Sequence, residues 1–225
     1  MKDISRVNYG IEKLTWFKIE SIDENNNAIF SKTKPLAGVI KINLSPDNQR
    51  IDHTRDSVVI TSKYNKPLYT GTLLLYQVAS DENSNFVNHA LGYNKSKNGS
   101  LYYTGNHNNF GIQYTELVKD EFGFTTENIV TLYNVSAGSF KKESNTTGTT
   151  VEYVQYEIPL TVYPSIYVKD NVTDSMVINE VTIDQNNSSL SDNVNNGDVI
   201  TPNTELDETK YTLIGNLVID IDQWS

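Results

Sequence analysis

The chain reads as a mainly β protein built on antiparallel sheet. Three observations predict this. Helical periodicity is nearly absent, and runs rich in β-branched and aromatic residues recur between Asn, Gly, Asp and Pro breaks. Residues 151–162, VEYVQYEIPLTV, alternate strictly, with Val154, Tyr156, Ile158, Leu160 and Val162 on one face and Tyr153, Gln155 and Glu157 on the other. Such alternation belongs to an antiparallel sheet with one packed face and one polar face.

In chain order the runs predict strands over 10–19, 27–33, 37–44, 57–63, 69–78, 110–118, 128–136, 151–163, 176–183 and 210–221. One segment, 79–93, carries helical spacing instead. Ser80 supplies an N-cap residue, Phe86, Val87 and Ala90 an apolar stripe, and Gly92 a stop. Between 45 and 56, SPDNQRIDHTRD has charges of alternating sign and no core pattern, so it reads as a long connection of the kind that carries function. In TLYNVSAGSF, 131–140, Leu132 and Tyr133 read as sheet and core, and Ser136, Ala137 and Gly138 as the place where the chain leaves the sheet.

With 14 Tyr, 7 Phe and many Val and Ile among 225 residues, the chain holds enough apolar material to offset the entropy of ordering a sheet. The net charge of −10 is unevenly placed. Residues 1–168 hold 17 acids against 16 bases, and residues 169–225 hold 11 against 2. We therefore expect a β domain over 1–168 and an acidic, Asn-rich extension over 169–225 that ends in a docked strand. No basic stripe offers footing for tight binding to nucleic-acid phosphates.

Cysteine is absent, which excludes disulfides, thiolate metal sites and cysteine nucleophiles. No window reaches the roughly 18 apolar residues of a membrane span, and MKDISRVNYG lacks the apolar core of a signal peptide, so a soluble cytoplasmic product is expected. The three His, His53, His89 and His107, lie in three separate segments. Asp23, Asn25 and Asn27 open like a calcium loop, but Ala28 stands where the turn needs Gly and Lys34 where a bidentate Glu is needed, so a hairpin turn is expected. Phosphate-binding Gly loops and a nucleophile elbow are missing. Paired acids such as Glu20 with Asp23, or Asp120 with Glu121, are all that could serve glycoside hydrolysis. We expect no enzyme, no cofactor and no metal site. Tyr102, Tyr103 and Tyr153 have neighbours polar enough to suggest a contact surface.

Five segments in order, NYGIEKLTW (8–16), KPLAGVIKINL (34–44), NKPLYTGTLLL (65–75), FVNHALGYNKSKNG (86–99) and IVTLYNVSAGSF (129–140), carry a resemblance. The chain resembles the major tail tube proteins of long-tailed, non-contractile phages of Gram-positive bacteria. The matching positions are Tyr9 and Gly10, Pro35, Gly38 and Val39, then Tyr69, Gly71 and Leu73. Leu91, Gly92, Asn98 and Gly99 follow, and then Leu132, Tyr133, Asn134, Ser136 and Ala137. The likeness covers roughly residues 8–164. It departs at DHTRD, where Arg55 breaks an acidic cluster, and in the last 60 or so residues, which have no counterpart in shorter members.

The resemblance implies an antiparallel β-sandwich or partly closed barrel with one flanking helix. It implies six copies per ring, and rings stacked into a tube through which DNA passes without specific binding. The partners implied are further copies of the chain, a tape-measure protein, and distal tail and tail terminator proteins. The place implied is the virion tail, after synthesis in the bacterial host cytoplasm, with no membrane insertion. The 45–56 connection becomes the inter-ring contact, with Asp47, Arg50, Asp52, His53, Arg55 and Asp56 as its candidate residues. The strongly acidic extension is expected mainly outside the tube. Two rival readings are a carbohydrate- or receptor-binding β-sandwich of a phage baseplate and the inner tube protein of a contractile injection machine.

Overall fold

The computed structural model describes residues 6–47, 50–55, 58–64, 68–76, 78, 80–98, 100–120, 125–143, 154–165, 167–168, 180–184, 194–201 and 211–214. In chain order the elements are β1 (Arg6–Phe17), β2 (Ile19–Ile22), β3 (Ala28–Phe30), β4 (Lys34–Pro35), β5 (Val39–Asp47), β6 (Arg50–Arg55), β7 (Val58–Tyr64) and β8 (Leu68–Leu75). Then come α1 (Ser84–Leu91), β9 (Tyr93–Lys95), β10 (Leu101–Tyr103), β11 (Phe110–Asp120), β12 (Thr125–Ala137), β13 (Lys141–Glu143), β14 (Gln155–Val162), β15 (Glu180–Asp184) and β16 (Tyr211–Ile214). The protein is mainly antiparallel β, with α1 as a short helix. The main sheet runs β4-β1-β11-β12-β14-β8-β5, and β2–β3, β6–β7 and β9–β10 form separate two-stranded ribbons.

The main sheet curls. Leu14 and Trp16 of β1 share one core with Leu73 and Leu75 of β8, although these strands stand near opposite ends of the strand order. Helix α1 fills the hollow with Phe86, Val87, Ala90 and Leu91. Phe86 meets Trp16 and Phe110 edge to face, at 5.6 and 5.3 Å between ring centroids, the arrangement aromatic quadrupoles favour. The helix starts at Asn83, whose backbone N–H donates to Ser80 Oγ at 3.2 Å. The N-cap expected at Ser80 is therefore corrected to Asn83, whose side chain makes no capping bond because its amide is engaged elsewhere. Its Oδ1 accepts from Ala37 N–H and its Nδ2 donates to Ala37 O, both at 2.9 Å. Gly92 ends the helix with φ 67°, as its place in the sequence suggests.

A second, smaller core lies among Phe17, Ile129, Tyr133, Val168 and Ile200, with Phe30, Val194 and Val199 against it. Residues 194–201 reach it from the acidic extension. Gln113, 2% exposed, holds this segment through its amide. Its Oε1 accepts from Ile200 N–H at 3.0 Å and from Thr131 Oγ1 at 3.2 Å, and its Nε2 donates to Asp198 O at 3.2 Å. Tyr133 Oη donates to Ile200 O at 2.6 Å. Burial raises the Tyr133 phenol well above its ordinary range, so it stays a donor. The extension also adds β15 to the sheet beside β12, with β16 beyond it.

Strand β12 changes partner along its length. Asn128–Leu132 pair with β15 and Val135–Ala137 pair with β14. At the changeover the β11–β12 register shifts, with Phe110 opposite Val135 but Ile112 opposite Leu132. One extra residue on β12 makes a β-bulge, and it inverts the phase of the strand. Val130 and Leu132 face the main core before it, and Val135 and Ala137 after it.

The exit expected at Ser136–Gly138 is corrected. Gly138 N–H donates to Pro159 O at 2.8 Å, and Lys141–Glu143 pair onward with Glu157, Tyr156 and Gln155. The chain stays on β14 and skips one residue.

Candidate functional site

Among the described residues, β1 and β5 near the two ends of the main strand path leave most of their outer edges open, and β16, at the end of the β12-β15-β16 branch, also has one neighbour only. β4 covers β1 only at Thr15 and Trp16, and Leu36 N–H adds one bond to Leu14 O at 3.1 Å. The chain then leaves β1. Asn83 grips Ala37 from both sides, Gly38 takes φ 73°, and Tyr76 N–H donates to Gly38 O at 2.8 Å as β5 settles on β8. From that corner β1 and β5 diverge. Among the described residues, neither the side of Arg6–Lys13 turned away from β11 nor the side of β5 turned away from β8 has a strand partner. The sheet is thus an open, curled structure and not a closed barrel.

The open edges carry the devices that restrain undirected pairing. On β1 these are the exposed Glu12 and Lys13, with Lys13 at φ 50° inside a bulge between Glu12 and Thr15. Lys13 also meets Glu127 at 3.4 Å across the strand surface. On β5 they are the exposed Lys41 and Pro46. Each neighbouring pair along β1-β11-β12-β14-β8-β5 is antiparallel, so these six strands alternate in direction and the two edge strands run in opposite senses.

Gly71 of β8 sits between β14 and β5, opposite Leu160 on one side and Leu44 on the other. A Cβ there would lie 1.8 Å from Asn43 O. The β5 edge is therefore seated on β8 by a position that only glycine can occupy.

The connection expected at 45–56 is corrected to strand. Asp47 belongs to β5, and Arg50, Asp52, His53 and Arg55 belong to β6, which pairs with β7 from Arg50↔Tyr64 to Arg55↔Val58. Asp56 lies outside the described residues. β6, RIDHTR, holds one apolar residue and shows no alternation, so its polar, mixed-charge sequence reads as a connection. The arm is inserted between β5 and β8 and is about 20 Å long, from the six residues of β6.

Other motif positions fall as follows. Gly10 is exposed on the open part of β1, Gly38 is at the corner, Leu91 and Gly92 close the helix, and Tyr133 and Asn134 stand at the β12 bulge. Asn134 accepts from Asn109 Nδ2 at 2.7 Å and donates to Pro164 O at 3.2 Å. Tyr9 is in β1, and Gly99 and Tyr153 lie outside the described residues.

The calcium-like run forms the expected hairpin turn between β2 and β3. Asp23 Oδ1 accepts from Asn25 N–H and Asn27 N–H at 2.9 and 2.7 Å, and these bonds hold its carboxyl below the usual range. His89 is half-buried against Trp16, with Nε2 3.2 Å from Asn109 O, and desolvation lowers its pKa. His107 lies 2.7 Å from Tyr103 Oη. Among the described residues no three His, Asp or Glu side chains converge as a metal site, and no helix is long and apolar enough to cross a membrane.

No protein-family profile and no curated protein matches the chain. One solved structure, titled as that of a type six secretion system protein, is similar over 77% of this chain and 96% of its own, at 14% identity and a TM-score of 0.29. At that identity and score the likeness bears on neither function nor architecture.

Proposed function

We propose that the chain is a structural subunit of a phage tail tube, assembling as hexameric rings that stack into a conduit for DNA. The observation that carries this reading is the pair of open strand edges of opposite sense on one sheet. When β5 of one copy meets β1 of the next, the antiparallel alternation continues unbroken, so copies related by rotation build one continuous sheet. A heterologous contact of this kind makes a ring when the rotation between copies closes, and ring-on-ring stacking, which does not close, makes a tube. The ordered motifs of the tail tube family support the same reading.

The β6–β7 arm suits the contact between rings, in place of the flexible connection expected at that position. The extension then belongs on the outside, where 11 acids against 2 bases per copy keep neighbouring tubes apart.

Negative-stain electron microscopy of the purified chain, alone and with a distal tail initiator complex, tests the proposal. Hollow polymers of stacked rings are expected. A chain that stays monomeric with the initiator present contradicts it.

A further inference from the structure

Residues 102–109, YYTGNHNN, form an exposed stretch that is nonetheless pinned. Thr104 donates to Gly92 O through both its N–H and its hydroxyl, at 2.7 and 2.8 Å. Asn108 N–H donates to His89 O at 3.0 Å, and Asn109 is tied to Asn134. Tyr103 is 54% exposed and still fixed in direction. Its ring packs on Tyr93 at 5.1 Å and beside His107 at 5.5 Å, and its hydroxyl is bonded to the His107 ring. The row continues inward through Phe140 and Tyr156.

An aromatic face held this way has already lost its rotamer freedom, so a ligand meets it without further ordering cost. Residues 98–115 contain no Asp, Glu, Lys or Arg. That neutrality argues against a nucleic acid, which wants cations beside its stacking rings. The Asn106–Asn108 loop beside Tyr103 offers amides and an imidazole, which both donate and accept, and Lys95, on the same face of the ribbon, is spent on Asp81 at 2.6 Å.

We infer that the Tyr103–His107 face of the β9–β10 ribbon is a carbohydrate-binding site for a neutral sugar chain. The C–H face of a pyranose stacks on Tyr103, and its hydroxyls exchange hydrogen bonds with His107 and the Asn106–Asn108 loop. The inference does not depend on tube assembly, because it concerns a single copy of the chain.

Tyr102 provides an internal control. It is equally exposed, at 52%, but stands opposite Asn94 on the other face of the same ribbon.

The test is native affinity electrophoresis of the full chain in gels containing hydroxyethyl cellulose, glycol chitin or dextran, with a DNA-containing gel in parallel. Retardation in at least one neutral gel is expected. Tyr103→Ala should weaken it about tenfold or more, Tyr103→Phe should weaken it less, and Tyr102→Ala should leave it unchanged, with circular dichroism confirming that each variant folds.

No retardation in any neutral gel overturns the inference. So does retardation indifferent to Tyr103→Ala, or retardation by DNA alone. A Tyr103→Ala variant whose only change is in self-association, measured by sedimentation, overturns it in favour of a contact between copies.

Discussion

Replacing Gly71 by Ala tests how the β5 edge is seated. The added Cβ would lie 1.8 Å from Asn43 O, 2.8 Å from Asn43 C and 2.9 Å from Leu44 Cα, whereas ordinary contact begins near 3.4 Å. All three atoms are backbone, so no side-chain rotation relieves the clash. β5 must move away from β8 by about 1.5 Å, which takes the rungs around Asn43, Leu44 and Ser45 beyond hydrogen-bond range.

Three net hydrogen bonds at about 1 kcal/mol each give a loss of about 3 kcal/mol. Reduced freedom of the unfolded chain returns about 0.5–1 kcal/mol, leaving about 2 kcal/mol. For a chain of this size the melting temperature should fall by about 4–8 °C by differential scanning calorimetry. Under conditions where the variant is still folded, initiated assembly followed by electron microscopy should yield no tubes. A variant with the wild-type melting temperature and normal tubes would show both the seating argument and the edge argument to be wrong.

Gln113→Leu should cost about 2–4 kcal/mol in urea denaturation, because it orphans Ile200 N–H, Asp198 O and the Thr131 hydroxyl in a buried place. It should also expose residues 194–201 to protease, and wild-type resistance would count against the clamp. Glu116 has its carboxyl pKa raised by burial, so the folded state holds its proton more tightly than the unfolded chain does. Stability therefore falls as pH rises from the ordinary carboxylate value through the raised one. Glu116→Gln should flatten that slope and be more stable at neutral pH, and an unaltered pH profile in thermal melts would refute it. Arg50→Glu with Arg55→Glu should leave the melting curve in place and block ring stacking in initiated assembly. Normal tube length from that variant would remove the arm from the inter-ring contact.

Long strands with an apolar face were legible in the sequence. β1, β5, β8, β11, β12 and β14 all answer to predicted runs, and the helix was visible from Phe86, Val87 and Ala90 with Gly92 behind them. The elements that escaped share a physical reason. β4, β9, β10 and β13 are two or three residues long and β6, RIDHTR, holds one apolar residue, so none of them can show an apolar alternation.

The open edges were invisible for a different reason: whether a strand finds a neighbour depends on the corner at Leu36–Gly38, and Asn83 closes that corner from 46 residues away. The contribution of Val194, Val199 and Ile200 to the core was not legible because they are spaced by neither two nor 3.6. Their burial comes from Gln113 and Tyr133, which are distant in sequence. Tyr103 was picked out by its polar neighbours. That His107 would fix its ring could not be read from a spacing that suits a loop as well as a turn of helix.

The bulge at Tyr133–Asn134 makes β12 a single ruler with two scales. On one side the scale is read by β15 and on the other by β14, and the two are locked together by one extra residue. Deleting or adding a residue in a surface turn changes only that turn. The same change here would slide one half of the protein against the other and swap which side chains each core receives. Length variation among related chains should therefore crowd into the loops and stop at this dipeptide.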